Sequence, residues 1–448
     1  MSGRGDRGDA MTSRLVTLLA VVGLALGAAT LPTGAQSSKP QATEVGVTAT
    51  TIRIAVVADV DNPLQPGLFA GPVAAVRGFA TYINQRGGLA GRKVAVDFID
   101  SHLNESEARN AIIQACRNDF AIVGTAALFL NNVSDMVGCP DQAGRTTGIP
   151  DLAVVTTEFA QQCSPVTFPI NPPQLLCPTR NDHPQTYQGN SGPIRYYEAH
   201  VARHLHGGFL YSNDLQSAAI AGQALAGAAE AGGVKGDVVR GISALAPQSG
   251  YDPFIQELKS AGSNYAQSTS AYSSTVSLRK EAELQGLTTS PFLWDCSSAC
   301  YSQQFLQQGG TAVEGEYVSL SFLPFQETKA NTALANYLRY VGAKVDGFGA
   351  YGWGASLLFR DAVNDVVRAH GANGLTRSAL LAALGSITSF NADGMFGTAN
   401  IAQRRSTPCF LLLHVKNGRF VRVHPTTPGT FDCTASNNTE FRADLLTG

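Results

Sequence analysis

The feature that most constrains this chain is the alternation between Thr51 and Thr157, where short apolar, β-branched runs are separated by amphipathic stretches of helical period. Thr51 to Ala58 (TIRIAVVA) has the near-continuous apolar character of a strand buried on both faces. A Gly/Pro-rich loop (61–71) leads to a helical pattern from Pro72 to Gln85, with proline at its start and Gly87-Gly88 at its stop. A strand (Lys93 to Asp100), a helix (Glu105 to Arg117) and a strand (Phe120 to Val123) follow. A further helix leads to a strand from Leu152 to Val155. The order predicts a parallel, doubly wound sheet. Ligands of such sheets sit beyond the carboxyl ends of the strands. Gly124-Thr125-Ala126-Ala127 and Thr156-Thr157 each follow a strand and mark a site.

Between Thr157 and Gln188 the periodicity stops, in a stretch holding Cys163, Cys177 and six prolines. A second winding then begins. Helical patterns at Ile194 to Leu205, Ser217 to Ala231, Pro253 to Ala261 and Thr275 to Gln285 alternate with strands. Those strands are Gly208 to Tyr211, Asp237 to Ile242, Tyr265 to Ser268 and Phe292 to Trp294. The reading is α/β, with two doubly wound parallel-sheet lobes. Helices are expected at Asn331 to Val341, Ala350 to His370 and Thr376 to Leu384. Asn417-Gly418 between the apolar runs 410–415 and 419–424 signals a hairpin.

At 448 residues the chain exceeds one ordinary hydrophobic core, which favours two domains. A net charge of −2 gives no electrostatic reason to expect nucleic acid. Residues 1–35 read as a signal peptide: Arg14, an apolar run from Leu15 to Thr30, then Thr33-Gly34-Ala35 before a cut at Gln36. The run falls short of the ~20 residues of a spanning helix. Met11 is an alternative start, and no Cys stands at the cut to carry a lipid. Two Arg-Gly-Asp triplets (4–6 and 7–9) lie upstream of it, and residues 36–49 read as a flexible polar linker.

All eight cysteines follow the cut, as in a disulfide-bonded exported protein. Of the 105 pairings open to eight cysteines, sequence proximity favours Cys116–Cys139, Cys163–Cys177, Cys296–Cys300 and Cys409–Cys433. The expected compartment is periplasmic, cell-envelope or extracellular.

Enzyme signatures are missing from the sequence: no Gly-x-Ser-x-Gly elbow, no phosphate-cradling Gly-rich loop with Lys, no His-Glu-x-x-His. Gly87 to Gly91 follows a helix and precedes a strand, the reverse of a dinucleotide loop. His200 and His204 have i,i+4 spacing, with His206 beyond, but no third ligand stands near them in sequence. No catalytic residue, metal or cofactor is expected.

The segments GVTATTIRIAVVAD, INQRGGLAGRKVAVDFID and AIVGTAALFLNNV together resemble the type I periplasmic binding proteins, and among them the branched-chain amino acid (leucine-binding) proteins of ABC transporters. The resemblance covers about 46–425. It implies a Venus flytrap of two lobes with a multi-strand hinge: 50–188 in lobe 1, 189–320 in lobe 2, 321–395 back in lobe 1, and 396–448 as a hairpin and tail on lobe 2. It implies a monomer, peripheral to the membrane, handing a small carboxylate-bearing ligand to an ABC permease. A ligand sensor of the same fold is the alternative, and an exported hydrolase a lesser one. The family's carboxylate-clamping role falls on Thr125, Ala126, Ala127, Thr156 and Thr157, and its side-chain contact on Phe69. Lobe 2 would contribute Tyr211, Asp214, Tyr272 and Thr275. Where amino-acid binders place an acid against the ligand ammonium, this chain has Tyr272-Ser273-Ser274-Thr275. Asp214 and Asp295 are the candidate substitutes, and a small acid, amide, aromatic or other ligand without a charged amine stands beside a leucine-like amino acid as the expected ligand.

Overall fold

The computed structural model describes residues 39–445 apart from 63–65, 157, 172–173, 178–183 and 288–291. The expected signal peptide, the Arg-Gly-Asp triplets and Thr157 lie outside the described residues. In chain order the first winding is β1 (Thr51–Ala58), α1 (Ala70–Asn84), β2 (Lys93–Asp100), α2 (Glu105–Asn118), β3 (Ala121–Thr125), α3 (Ser134–Val137) and β4 (Asp151–Ala153). Its four strands form a parallel sheet in the order β2-β1-β3-β4. β1 is central, with Ile54 to Ala58 fully buried between helices on both faces. α2 is framed at both ends: the Asn104 side chain accepts from the Ser106 and Glu107 amides, and Arg117 stands in the last turn. α3 is only one turn long, because Gly138 and Pro140 follow it and Cys139 is bonded back to Cys116 in α2.

The crossing that follows holds α4 (Phe159–Gln162) and β5 (Gln185–Asn190). The second winding is α5 (Gly192–His200), β6 (His206–Ser212), α6 (Gln216–Ala231), β7 (Lys235–Ile242), α7 (Asp252–Ala261), β8 (Tyr265–Ser268), α8 (Tyr272–Leu284), β9 (Leu293–Cys296), α9 (Gln303–Gly309) and β10 (Tyr317–Leu320). α5 stops at His200, short of the expected Leu205. The Glu198 carboxylate accepts from the His204 and Leu205 amides and turns the chain into β6. His200 and His204 therefore do not share a helix face.

The chain then runs through α10 (Thr332–Val341), α11 (Gly347–His370) and α12 (Arg377–Leu384) back to the first sheet. There Trp353 meets Phe79 at 5.7 Å, and the buried Arg377 guanidinium donates to the carbonyls of Cys116, Asp119 and Pro140. The hairpin β11 (Leu411–Lys416) and β12 (Arg419–His424) adds antiparallel to β10, giving the seven-stranded order β12-β11-β10-β9-β8-β6-β7. A last strand, β13 (Asn438–Ala443), pairs antiparallel with β5. The molecule is thus two doubly wound lobes linked by several crossings.

Two expectations are corrected. Part of the expected linker is tied to the first lobe: Glu44 is buried and accepts the Gln142 and Arg377 amides, and the Thr43 hydroxyl donates to the Leu375 carbonyl. The irregular crossing contains strand β5, whose polar sequence QTYQGN carries no alternating pattern. All four cysteine pairs favoured by sequence proximity are bonded, namely Cys116–Cys139, Cys163–Cys177, Cys296–Cys300 and Cys409–Cys433. No helix among the described residues is long and apolar enough to cross a membrane.

Candidate functional site

The carboxyl ends of both sheets open on one cavity of about 820 Å³, within the range of small-ligand sites. The first lobe lines it with the loop 66–71, Leu103, Leu128, Val155 and Thr156. The second lines it with the loops after β6, β7, β8 and β9, and with one face of α6. The start of α11 completes the wall.

Carboxylates, one fully buried and two half-buried, hold these loops in register. Asp59, at the end of β1, accepts from the Ser101 hydroxyl at 2.6 Å, the Leu103 amide at 2.9 Å and the Leu128 amide at 2.8 Å, tying three strand ends together. Asp214 ties two strand ends together in the second lobe, accepting from the Ser212 and Ser243 hydroxyls and the Ala244 amide, each at 2.6 Å. Burial pushes the Asp214 carboxyl up, but these three donors outweigh it and hold the group below the usual carboxylate range. The Cys296–Cys300 bond closes the loop that brings Ser297, Ser298 and Ala299 to the wall. Asp346 caps α11 by accepting the Gly349 amide at 2.6 Å, and burial pushes its carboxyl up to about 6. It also lies against the start of α1: a Cβ on Gly71 would come within 2.1 Å of its oxygen.

Of the residues singled out from sequence, Phe69, Thr156, Asp214 and Tyr272 line the cavity. Thr125, Ala126, Ala127, Tyr211 and Thr275 are not among the described residues that line it. The Thr125 hydroxyl turns inward to Asp151, and Ala126 and Ala127 are fully buried in the first lobe's core. Tyr211 lies under α6, where Gly222 leaves room for it and its hydroxyl accepts from Gln223. Thr275 bonds to Ser268 at 2.8 Å and is buried. Asp295 is also buried away from the cavity, accepting from Tyr197, Tyr265 and Gln267.

Helix starts form the part of the site that the reading from sequence missed. α1, α6 and α8 begin at the cavity with Phe69, Leu215 and Ala271 as cap residues. None of the three has a side-chain cap or an acidic residue in its first turn. By contrast α2, α9, α10, α11 and α12 are capped by Asn104, Ser302, Asn331, Asp346 and Thr376. Uncapped starts leave amide donors and partial positive charge facing the cavity. The signal was present in the sequence as apolar residues where a Ser, Thr, Asp or Asn belongs.

The family model for periplasmic binding proteins matches residues 51–419. No curated protein sequence matches the chain. Among solved structures, a fatty acid ABC transporter substrate-binding protein from Thermomonospora curvata is similar with a TM-score of 0.62 and 18% identity, over 86% of this chain and 97% of that one. A leucine binding protein from Thermotoga maritima gives 0.61 and 15%, over 83% and 97%. A branched chain amino acid ABC transporter protein from Thermus thermophilus with bound valine gives 0.63 and 13%, over 84% and 95%. At these identities the likeness is one of fold.

Proposed function

The chain belongs to the periplasmic binding protein family, and on that premise we propose that it is an exported solute-binding protein that captures a small carboxylate-bearing ligand and delivers it to an ABC permease. The observation that carries this reading is one cavity lined from both lobes at the carboxyl ends of both sheets. A ligand held there would touch two bodies at once, so binding would favour the closed arrangement of the lobes. A permease could then distinguish loaded from empty protein. The solved relatives named for ABC transporters support the same reading. Binding and release require no covalent step and no cofactor.

A thermal-shift screen of the full oxidised chain tests this. The panel holds branched-chain and aromatic amino acids, their amides, aromatic acids, straight-chain acids and polyols. A ligand at 100 times its dissociation constant adds about 2.7 kcal/mol, so at least one acid is expected to raise the melting temperature saturably. No response from any member would contradict the reading.

A further inference from the structure

Resting on that binding function, we propose that the ligand is a monocarboxylate with an elongated apolar tail and no ammonium group, its carboxylate held by Ser270 and the starts of α8 and α6, its tail lying along α6.

The anionic end follows from unpartnered donors. The amides of Tyr272, Ser273 and Ser274 at the start of α8, and of Gln216, Ser217 and Ala218 at the start of α6, donate to nothing among the described residues. Ser270, on the wall between β8 and α8, is only 3% exposed, and its hydroxyl has no hydrogen-bond partner among the described residues. A hydroxyl with so little exposure, on the cavity wall and without a protein partner, is placed to donate to a ligand that displaces cavity water. A carboxylate accepts from a hydroxyl and from helix-start amides together. Lys344, the one Lys or Arg among the described lining residues, adds positive charge to the same cavity.

The missing ammonium follows from the acids. Asp214 and Asp346 are the carboxylates among the described lining residues. Asp214 already accepts three donors. Asp346 caps α11 and lies against the start of α1. An ammonium enclosed in this cavity would lack a dedicated partner, and enclosing an unpaired charge is expensive.

The tail follows from one helix face. Leu215, Ala218, Ala221 and Leu225 of α6 line the cavity at helical spacing, a stripe about 15 Å long at 1.5 Å per residue. The small Ala side chains between two Leu leave a trough. Leu245, also on the wall, is 62% exposed. An apolar tail would cover it, whereas a compact polar ligand would leave it in water.

Thermal shift and calorimetry on the full oxidised chain with octanoate, methyl octanoate and leucine test the proposal. Octanoate is expected to bind saturably, and methyl octanoate and leucine at least tenfold more weakly. Ala221→Phe fills the trough and is expected to weaken octanoate at least tenfold. Ser270→Ala removes one charge-assisted donor and is expected to do so by about tenfold. Leucine binding more tightly than octanoate, and losing that binding in Asp346→Asn, would overturn the ligand class while leaving the solute-binding function in place. Methyl octanoate binding as tightly as octanoate would overturn the anion site. If neither octanoate nor any member of the wider panel binds, both this inference and the proposed function fall.

Discussion

Inside the first lobe the Thr125 hydroxyl donates to the Asp151 carboxylate at 2.5 Å, and Gln161 and Thr167 donate to the same carboxylate at 3.1 and 3.0 Å. The group is fully buried, and this cluster fastens β3 to β4 and to the first residues of the crossing. Thr125→Val should therefore cost stability, about 1–3 kcal/mol for an orphaned acceptor, and Thr125→Ser should restore most of it. Affinity for any ligand found in the screen should be unchanged in both. Chemical denaturation together with titration calorimetry separates the two effects.

The disulfides should divide by role. Cys116–Cys139 spans 23 residues inside the first lobe, away from the cavity wall, and its removal is expected to cost about 3 kcal/mol with no change in affinity. Cys296–Cys300 spans only 4 residues, so the unfolded chain gains less freedom, about 2 kcal/mol. Its loop supplies Ser297, Ser298 and Ala299 to the cavity. The double Ala variant at this pair should lose affinity out of proportion to its loss of melting temperature.

Stability should rise on mild acidification. Burial, with Asp97 nearby, pushes Asp119 up to about 7, and burial pushes Asp295 up to about 6, against 3.8 in the unfolded chain. The folded protein then holds protons that the unfolded chain has released, so stability is fullest below the unfolded value of 3.8 and falls as pH rises from there through the folded values. Carboxylates held low, such as Asp214 and Asp237, act only below the unfolded value and do not oppose this. Melting temperature should be higher at about pH 5 than at about pH 8. Asp119→Asn, neutral throughout, should flatten the profile.

Arg377 ties the returning helix α12 to the first sheet. Its guanidinium donates to the carbonyls of Cys116 and Pro140, both at 2.7 Å, and of Asp119 at 2.5 Å. Arg377→Met keeps much of the volume and strands those acceptors, at about 1–3 kcal/mol for each one that water cannot reach. A loss of about 3 kcal/mol or more is expected in denaturant unfolding.

The parallel strands were legible because burial on both faces writes itself as runs such as TIRIAVVA, and helix stops such as Gly87-Gly88 bound the elements between them. β5 and β13 were not. QTYQGN and NTEFRA pair across about half the chain with polar residues, and neither alternates. The site was half legible. Phe69, Thr156, Asp214 and Tyr272 were named from the resemblance to the family's ligand loops, and they line the cavity. Thr125 was named with them, but sequence cannot say that a buried Asp151 waits behind it. Nor does position along the chain reveal that three uncapped helix starts converge. Their apolar cap residues were visible singly, but their meeting point is a property of the fold.

One ligand bridging both lobes should draw them together. Small-angle X-ray scattering of the full oxidised chain, with and without saturating octanoate or another acid from the screen, tests it most directly. A saturable fall in radius of gyration is expected, tracking the calorimetric binding curve and disappearing in Ala221→Phe. A radius unchanged at full saturation would contradict it, placing the ligand on one lobe alone.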